Sequence, residues 1–246
     1  MIHGFFHRGS GLGNQLHRYV ATRTVADDKG YQFGMVAPEL FKGSSFMNLE
    51  MGNALPYTVE EPTGKCVVSD YPLWEEKTNY YNPEFNFIDD NTIIDGEFQD
   101  ERYFNIEKVD EWLKTEPLEI PEDVCVIGFR GGEFSIFPDL FLRGDYWDEA
   151  VKIIQKINPN IKFEVHTDDP KMTEVFFGKE MPIIHNIGIN WKSMRHAKYA
   201  IIANSSFYIL PRLLSKGVTI APRYWARHNT KEWSMPQNYY KSFQYI

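Results

Sequence analysis

Short apolar segments alternate with amphipathic stretches along most of this chain. Residues 2–6 are apolar and predict a buried strand, and residues 14–29 then mix apolar with charged positions as a surface helix does. The alternation continues with predicted strands at 31–36, 92–95, 124–129, 163–166, 199–203 and 218–221, and with predicted helices at 100–114, 145–157, 191–198, 207–215 and after Pro170. Strands separated by single helices predict parallel βαβ units and an α/β fold.

Two stretches interrupt this alternation. Residues 38–92 are rich in proline, asparagine and aromatic residues and predict loops and small strands, with Tyr80, Tyr81, Phe85 and Phe87 partly exposed. Residues 117–123 contain two prolines and predict a linker. We therefore expect two Rossmann-like domains, residues 1–120 and 121–246, with a cleft between them. In open α/β sheets ligands bind at the carboxyl ends of the strands.

Composition narrows the class of protein. The chain has 246 residues, 43% of them hydrophobic and 15% aromatic, which is typical of a folded globular protein. Cys66 and Cys125 are too few and too far apart for a disulfide framework or a zinc site, and Cys125 is expected to be a buried thiol. Nothing at the start of the sequence resembles a signal peptide and no run approaches about 20 apolar residues, so we expect a cytoplasmic protein without a membrane span.

Charge is unevenly spread. The net charge is −8; residues 1–120 hold 10 Lys/Arg and 21 Asp/Glu, and residues 121–246 hold 16 and 13. An acidic chain argues against nucleic acid as a partner. The more basic second half suits a phosphate-bearing small ligand, although random variation of surface charge explains it equally well.

The segment Gly11-Leu12-Gly13-Asn14-Gln15-Leu16 follows the first predicted strand and opens the first predicted helix. Backbone N–H groups at such a corner, together with the helix dipole, favour an anion. The segment matches neither the Rossmann nor the Walker glycine pattern, so an ordinary tight turn is the alternative interpretation.

Three further loops follow predicted strands in the second half. They are Arg130-Gly131-Gly132-Glu133, Thr167-Asp168-Asp169-Pro170 and Asn204-Ser205-Ser206-Phe207. Arg130 offers a planar fork to phosphate oxygens, or pairs with a structural carboxylate. Asp168 accepts hydrogen bonds from a ribose or base, or caps the next helix. The serines bind phosphate at a helix start, or are simple N-caps. Together the loops outline a site for a nucleotide or a nucleotide sugar.

In this order, the motifs resemble the GDP-fucose-dependent fucosyltransferases, especially the alpha-1,2-fucosyltransferase family and its alpha-1,6 and protein O-fucosyltransferase relatives. The opening glycine segment is similar to that family's first motif, and residues 95–104 are similar to its Gly-aromatic-aromatic-Gln-Ser-Glu-Lys-Tyr-Phe segment. Residues 130–134 occupy the position of its His-x-Arg-x-Gly-Asp-Tyr motif. Residues 167–169 are similar to its Ser-Asp-Asp motif, and residues 201–207 to its Ile-Ile-Ala-Asn-Ser-Ser/Thr-Phe motif. The matches span residues 9–207.

The resemblance implies a GT-B fold and metal-independent inverting transfer of L-fucose from GDP-fucose to a glycan hydroxyl. It makes residues 1–120 the acceptor side and residues 121–246 the donor side, and it implies no cofactor besides the GDP-sugar substrate. Arg130 would contact the diphosphate, Asp168 the guanosine end, and the serines a phosphate. The full expected donor set is Gly13, Asn14, Gln15, Arg130, Thr167, Asp168, Asn204, Ser205, Ser206 and Phe207.

The chain departs from the family at several positions. The family histidine is Gly128 here, its second arginine is Gly131, its aspartate is Glu133, and its Trp-Trp pair is Ile209 and Leu210. Arg143 is a candidate substitute for the second arginine. The candidates for the base that takes the acceptor proton are Glu133, Asp139, Glu97 and His7. We assign catalysis to Arg130 and Glu133, with pairing of Glu133 to Arg130 as the alternative.

Two other functions stay open from the sequence. One is a glycosyltransferase with another donor, such as a rhamnosyl nucleotide. The other is a non-catalytic module that binds a nucleotide sugar or a glycan. The aromatic segment 71–87 forms either an acceptor wall or part of a local core.

Overall fold

The computed structural model describes residues 1–77, 81–231 and 240–246. The chain divides into two compact units, Met1–Thr115 and Glu116–Ile246. The division lies just before the proline-containing segment 117–123 that predicts a linker. Each unit has its own parallel sheet, as the alternating pattern of the sequence predicts.

The first unit is built on a four-stranded parallel sheet in the order β2-β1-β6-β5. Strand β1 is central and all four of its residues are buried, which explains why this segment is apolar. A separate antiparallel hairpin joins β3 to β4. The elements are β1 (Ile2–Phe5), α1 (Leu12–Lys29), β2 (Phe33–Val36), β3 (Thr58–Glu60), β4 (Lys65–Val67), β5 (Leu73–Glu75), β6 (Thr92–Asp95) and α2 (Ile106–Trp112).

Aromatic residues of this unit form a core cluster, which corrects one expectation. Phe85 is 2% exposed rather than partly exposed, and its ring packs edge-on against Trp74 and Tyr103 at centroid distances of 5.5 and 4.7 Å. Phe98 joins the same cluster. Phe87 is 78% exposed as expected, whereas Tyr80 lies outside the described residues.

The second unit has a six-stranded parallel sheet in the order β12-β11-β10-β7-β8-β9. Three strands extend to one side of β7 and two to the other, which is the doubly wound Rossmann arrangement. The elements are β7 (Val124–Phe129), α3 (Gly144–Ile157), β8 (Lys162–Thr167), α4 (Pro170–Phe177), β9 (Ile183–Ile184), α5 (Ile187–His196), β10 (Tyr199–Ile202), α6 (Ser206–Leu213), β11 (Val218–Ala221) and β12 (Gln244–Tyr245).

A buried arginine fastens α6 to its surroundings. Arg212 is 1% exposed, and its Nη1 donates to the carbonyl oxygens of Met194 and Ala197 at 2.6 and 2.9 Å. Its Nε donates to Thr219 Oγ1 at 2.8 Å. Burial lowers the pKa of Arg212 to about 10, yet the guanidinium stays charged at neutral pH. These bonds offset the cost of burying the charge and fix the helix whose first residues follow β10.

Two predicted helices differ clearly from those in the structure. The one predicted at 100–114 is a 3-10 turn, Glu101–Tyr103, followed by α2; Asp100 caps the start of the turn by accepting the Arg102 N–H. The one predicted at 191–198 begins at Ile187, because Asn186 caps it by accepting the Ile189 N–H.

The C-terminal tail of the second unit, from residue 223 onwards, is described only in part. Its last residues, Gln244–Tyr245, pair in parallel with β11 at the edge of the sheet. Residues 232–239 lie outside the described residues.

Candidate functional site

Three loops of the second unit begin at the carboxyl ends of neighbouring strands. Strands β10, β7 and β8 lie side by side and run parallel, and the loops that follow them start at Ala203, Arg130 and Asp168. The order of the strands reverses between β7 and β10. Open α/β sheets bind ligands at this kind of switch point. The fold therefore gathers the three loops that the sequence singled out.

Arg130 is held by two carboxylates. Its Nη1 donates to Asp168 Oδ2 at 2.5 Å, and its Nη2 donates to Glu133 Oε1 at 2.8 Å. The side chains of Arg130 and Asp168 are 28% and 31% exposed, whereas that of Glu133 is 67% exposed. Pairing with carboxylates, which the sequence left as an alternative for Arg130 and Glu133, is thus present. The guanidinium still reaches solvent.

The Asp168 carboxylate is held by two donors of the loop after β7. Its second oxygen, Oδ1, accepts the Gly131 N–H at 2.9 Å, so one guanidinium and one backbone N–H hold it. Capping of the next helix, the other role considered for Asp168, belongs to its neighbour: Asp169 Oδ1 accepts the Met172 N–H at 3.1 Å. A donor set that holds a carboxylate in this way suits a phosphate oxygen equally well.

The two glycines after Arg130 are required by this close packing. A Cβ added to Gly131 would lie 2.7 Å from Asp169 Cβ. Gly132 has a φ of +38°, and a Cβ there would lie 2.5 Å from Asp168 Oδ2. Only glycine tolerates both the positive φ and the short approach. A second arginine at position 131 does not fit this loop as folded.

Tyr208 fills the space beside Gly128. A Cβ on Gly128 would lie 2.8 Å from the Tyr208 ring and 2.9 Å from Met194 Cε, so a histidine has no room there. The Tyr208 hydroxyl donates to the carbonyl oxygens of Phe129 and His166 at 3.1 and 3.4 Å. Burial raises the pKa of Tyr208, which keeps the hydroxyl protonated. Tyr208 thereby ties α6 to the ends of β7 and β8.

Thr167 and Asn204 orient the loops in which they lie. Thr167 is 1% exposed and its hydroxyl accepts the Asp169 N–H at 2.9 Å. Asn204 is 5% exposed and its Nδ2 donates to the carbonyl oxygens of Leu140 and Trp225 at 2.9 and 3.2 Å. Both side chains therefore bind protein partners, and the buried Oδ1 of Asn204 has none among the described residues.

The remaining predicted donor contacts of the second unit lie at the start of α6. Ser205 is its N-cap residue and Ser206 its first residue. Ser206 is half-buried, and the half-buried ring of Phe207 packs against the core of the unit. The backbone N–H of Ser205 donates to the Ala203 carbonyl at 2.8 Å, and Ser206 and Phe207 lie in the first turn of the helix.

In the first unit, α1 begins at Leu12 instead of near residue 14, so Gly13, Asn14 and Gln15 lie inside its first turn. The Gly13 carbonyl accepts a hydrogen bond from Nδ1 of His17 at 2.8 Å. His17 is fully buried, and burial lowers its pKa to about 4. The imidazole is therefore neutral at neutral pH.

Both polar atoms of the Gln15 side-chain amide form hydrogen bonds within the protein. Its Nε2 donates to the Leu40 carbonyl at 2.8 Å and its Oε1 accepts the Lys42 N–H at 2.9 Å, and the residue is 1% exposed. Asn14 is half-buried and its Oδ1 accepts from Gln99 Nε2 at 3.3 Å. Of these two predicted donor contacts, Asn14 is the more accessible.

A polar cavity of about 390 Å³ lies in the first unit, beside the carboxyl ends of β1, β5 and β6. This volume is in the range of small-ligand sites. The residues around it are mainly charged. They are His7, Arg8, Ser10, Arg18, Thr63, Lys65, Glu75, Glu76, Asp95, Gly96 and Glu97.

The hydrogen bonds of His7 in this cavity indicate one tautomer of its ring. The Cys66 N–H donates to its Nδ1 at 3.0 Å, so that nitrogen carries no proton. The proton is on Nε2, which donates to Asp95 Oδ1 and Oδ2 at 3.0 and 3.1 Å. Burial acts to raise the pKa of Asp95, but the bond from His7 and the charges of Arg18 and Lys65 outweigh it and hold the pKa below its usual value.

Glu97 is the second candidate base that the structure places here. Its Oε1 accepts from Arg18 Nη2 at 2.8 Å, and its side chain is 38% exposed. Burial raises the pKa of Glu97; the charge of Arg18 opposes this rise and that of Asp95 adds to it. The other two candidates, Glu133 and Asp139, are exposed residues of the second unit, as is Arg143.

Sequence reasoning missed Arg18 and Asp95. Arg18 is 6% exposed, and it also donates to Ser10 Oγ and the Gly96 carbonyl, both at 2.8 Å. The available signal was position: Arg18 lies one helical turn after Asn14, and Asp95 is the last residue of a predicted strand.

Two kinds of feature are absent from the described residues. Among them, no group of three or more His, Cys, Asp or Glu side chains is placed to hold a metal ion. No helix in the described ranges is long and apolar enough to cross a membrane.

Comparison with known proteins gives no match to a family model and none to a curated protein sequence. Solved structures do match. A NodZ alpha-1,6-fucosyltransferase soaked with GDP-fucose has a TM-score of 0.50 and 11% identity, over 87% of this chain and 92% of that one.

Two further structures are similar at lower scores. Fucosyltransferase NodZ from Bradyrhizobium has a TM-score of 0.48 and 11% identity, over 87% of this chain and 93% of that one. The E. coli heptosyltransferase WaaC with ADP has a TM-score of 0.48 and 12% identity, over 100% of this chain and 92% of that one. The likeness to the first NodZ structure concerns the fold alone. With the parallel sheets, it confirms the prediction of an α/β fold of the GT-B type.

Proposed function

We propose that this chain is a glycosyltransferase that uses a nucleoside-diphosphate sugar, GDP-fucose in the first instance, and transfers the sugar to a hydroxyl of a glycan. The loops after β7, β8 and β10 bind the donor, and the first unit receives the acceptor. The reaction inverts the anomeric centre and needs no metal ion. A similar structure, NodZ, is an alpha-1,6-fucosyltransferase soaked with GDP-fucose, which supports this choice of donor.

The observation that carries the proposal is the placement of Arg130. It follows the central strand of a doubly wound sheet and lies beside the Gly131 N–H, and together these two groups already hold one carboxylate. A diphosphate presents the same kind of oxygen with more charge. Arginine suits it because its planar fork binds two oxygens at once.

The chemistry follows from where charge develops. The acceptor oxygen attacks the anomeric carbon while the bond from that carbon to the phosphate oxygen breaks. The electron pair leaves with the nucleoside diphosphate, which gains negative charge. Arg130 and the N–H groups at the start of α6 stabilise that charge, with Ser205 and Ser206 as additional donors.

Donor binding requires an exchange of partners at Arg130. Asp168 and Glu133 both bind the guanidinium, so at least one of them gives way to phosphate oxygens. Glu133 is the more exposed of the two and its bond to Arg130 is the longer, so its bond is the weaker one. Asp168 keeps the Gly131 N–H and remains available to the nucleoside end of the donor.

The test is release of nucleoside diphosphate from a panel of GDP-, UDP- and dTDP-sugars, in EDTA, with simple galactosides as acceptors. Release from GDP-fucose alone supports the donor and the metal independence together. Release from another donor keeps a glycosyltransferase and replaces the sugar. Binding of GDP without any release favours a nucleotide-sugar-binding module, and neither binding nor release overturns the proposal.

A further inference from the structure

The proposed transfer needs a group that takes the proton from the acceptor hydroxyl. A base is most useful when its pKa lies near the working pH and when it reaches a site open to substrate. Of the other carboxylates around the cavity, Glu75 binds Lys65 and Glu76 accepts the N–H groups of Glu97 and Phe98. The candidates that remain are His7, Asp95 and Glu97. Their hydrogen bonds distinguish them.

His7 has no lone pair left for this task. Its Nδ1 lone pair accepts the Cys66 N–H, and its Nε2 carries a proton that is directed at Asp95. To accept another proton the ring would have to give up the bond from Cys66. His7 therefore serves to position Asp95.

Asp95 is also occupied. It is 6% exposed, it accepts from His7 with both oxygens, and its Oδ1 accepts the Gly96 N–H at 3.0 Å. Nearby cations add to these bonds and stabilise the ionised form. A carboxylate stabilised in this way is a weak base.

Glu97 differs from both. It lines the cavity with a side chain that is 38% exposed; Arg18 binds its Oε1, and its Oε2 is buried and has no hydrogen-bond partner among the described residues. A carboxylate accepts up to about four hydrogen bonds, so capacity remains for a substrate hydroxyl. The backbone is also held, since Glu76 Oε2 accepts the Glu97 N–H at 2.8 Å.

We propose that Glu97 is the catalytic base of this protein and that the cavity around it binds the acceptor sugar by its hydroxyl groups. The inference rests on the proposed function. The acceptor proton moves to the Glu97 carboxylate as the acceptor oxygen bonds to the anomeric carbon and the nucleoside diphosphate leaves. Protonated Glu97 then returns its proton to water, so no other reactant is needed.

The experiment compares the wild type with Glu97→Gln. Glutamine keeps the shape and an oxygen for Arg18 but cannot take a proton. We expect kcat to fall by about 10²–10⁴-fold, as is usual when a general base is lost. The dissociation constant for GDP should stay within about twofold, since donor contacts are assigned to the other unit.

Control variants separate a chemical role from a structural one. Glu111→Gln makes the same change at an exposed residue of α2, outside the cavity, and should leave kcat unchanged. Glu97→Ala should regain part of its activity with added formate. The acid limb of the wild-type rate against pH should disappear in Glu97→Gln. The groups that face Glu97 and influence this limb are Arg18, Asp95, His7 and Glu76.

Each outcome either supports or overturns the assignment of Glu97 as the base. Loss of kcat with retained GDP binding and formate rescue supports the assignment. A Glu97→Gln enzyme that keeps kcat within about threefold, or keeps the acid limb, overturns it while the proposed function stands. A wild type that releases no nucleotide from any donor overturns the proposed function, and the role of Glu97 falls with it. If Glu97→Gln folds poorly, Glu97→Asp with the same pH profile decides between these results.

Discussion

Removing the charge of Glu133 should strengthen nucleotide binding. In the structure Glu133 Oε1 lies 2.8 Å from Arg130 Nη2, at the fork that the donor diphosphate is proposed to use. In Glu133→Gln this competition weakens, because a neutral amide binds guanidinium less tightly than a carboxylate does. Arg130 keeps its bond to Asp168, so the fork stays in place.

The size of the effect follows from exposure. The Glu133 side chain is 67% exposed, and ion pairs this open to water contribute about 0.2–1 kcal/mol. Releasing that pair should lower the dissociation constant for GDP about 1.5–5-fold. Because we propose Glu97 as the base, we expect kcat of Glu133→Gln to change by less than about threefold.

Calorimetric titration with GDP and initial rates with saturating donor measure the two quantities. Glu180→Gln, an exposed carboxylate of the same unit outside the three loops, is the matched control. A turnover rate that drops by about two orders of magnitude, the loss typical of a missing general base, at unchanged GDP affinity would refute this reasoning. That result would make Glu133 the base, as the sequence alone predicts, and would remove the role from Glu97.

Three other predictions follow from the same contacts. Arg130→Ala should lower the transfer rate by about 10²–10³-fold or more and Arg130→Lys should stay poor, because lysine keeps the charge and loses the fork; full activity in either variant contradicts the mechanism. Gly132→Ala should lower the free energy of unfolding in urea by about 1–2 kcal/mol because of its positive φ, and an unchanged midpoint would be inconsistent with the loop geometry. The unfolded chain protonates His17 near pH 6.5 but the folded one only near pH 4, so protonation favours unfolding between these values. The contribution of His17 to stability should therefore fall by up to about 3 kcal/mol as the pH drops through this window, and His17→Gln should make the slope measurably shallower; an unchanged slope would contradict the assignment.

The buried strands were the most predictable part of the fold. The strands predicted at 92–95, 124–129 and 218–221 have these bounds in the structure, because each is an apolar run closed by polar residues or glycine. Strands β9 and β12 could not be predicted. They have two residues each and exist only through pairing with β8 and β11, which sequence periodicity does not report.

The loops of the candidate site were also predictable, but the partners of their side chains were not. Arg130 could be placed at a strand end from the sequence, whereas its bond to Asp168 joins residues 38 positions apart. The Gln15 side-chain amide likewise bonds to Leu40 and Lys42, which are 25 and 27 positions away in the sequence. Hydrogen bonds of this range depend on which strands become neighbours, and that is a property of the assembled sheet.

The sequence alone could not choose between His7 and Glu97 as the proposed base, because that choice depends on whether a lone pair of the His7 ring is already occupied. His7 and Glu97 are both titratable residues that follow strands of the same sheet. The Cys66 N–H at Nδ1 removes the histidine lone pair, and it comes from the β3–β4 hairpin, outside that sheet. A residue type therefore indicates a capacity for base catalysis, and the neighbouring donor decides whether that capacity is free.

The departures from the fucosyltransferase motifs at Gly128, Gly131 and Glu133 lie at the end of β7 and in the loop that follows it. With no Cβ at position 131, the loop after β7 packs directly against Asp169, and its N–H reaches the Asp168 carboxylate. A second arginine would separate these loops. The chain thus has one guanidinium where the fucosyltransferases it resembles have two arginines. In the proposed mechanism, more of the charge that develops on the diphosphate is then stabilised by the N–H groups at the start of α6. Such a role requires a fixed helix, and α6 is held by Tyr208 at the ends of β7 and β8 and by Arg212 at Thr219 of β11.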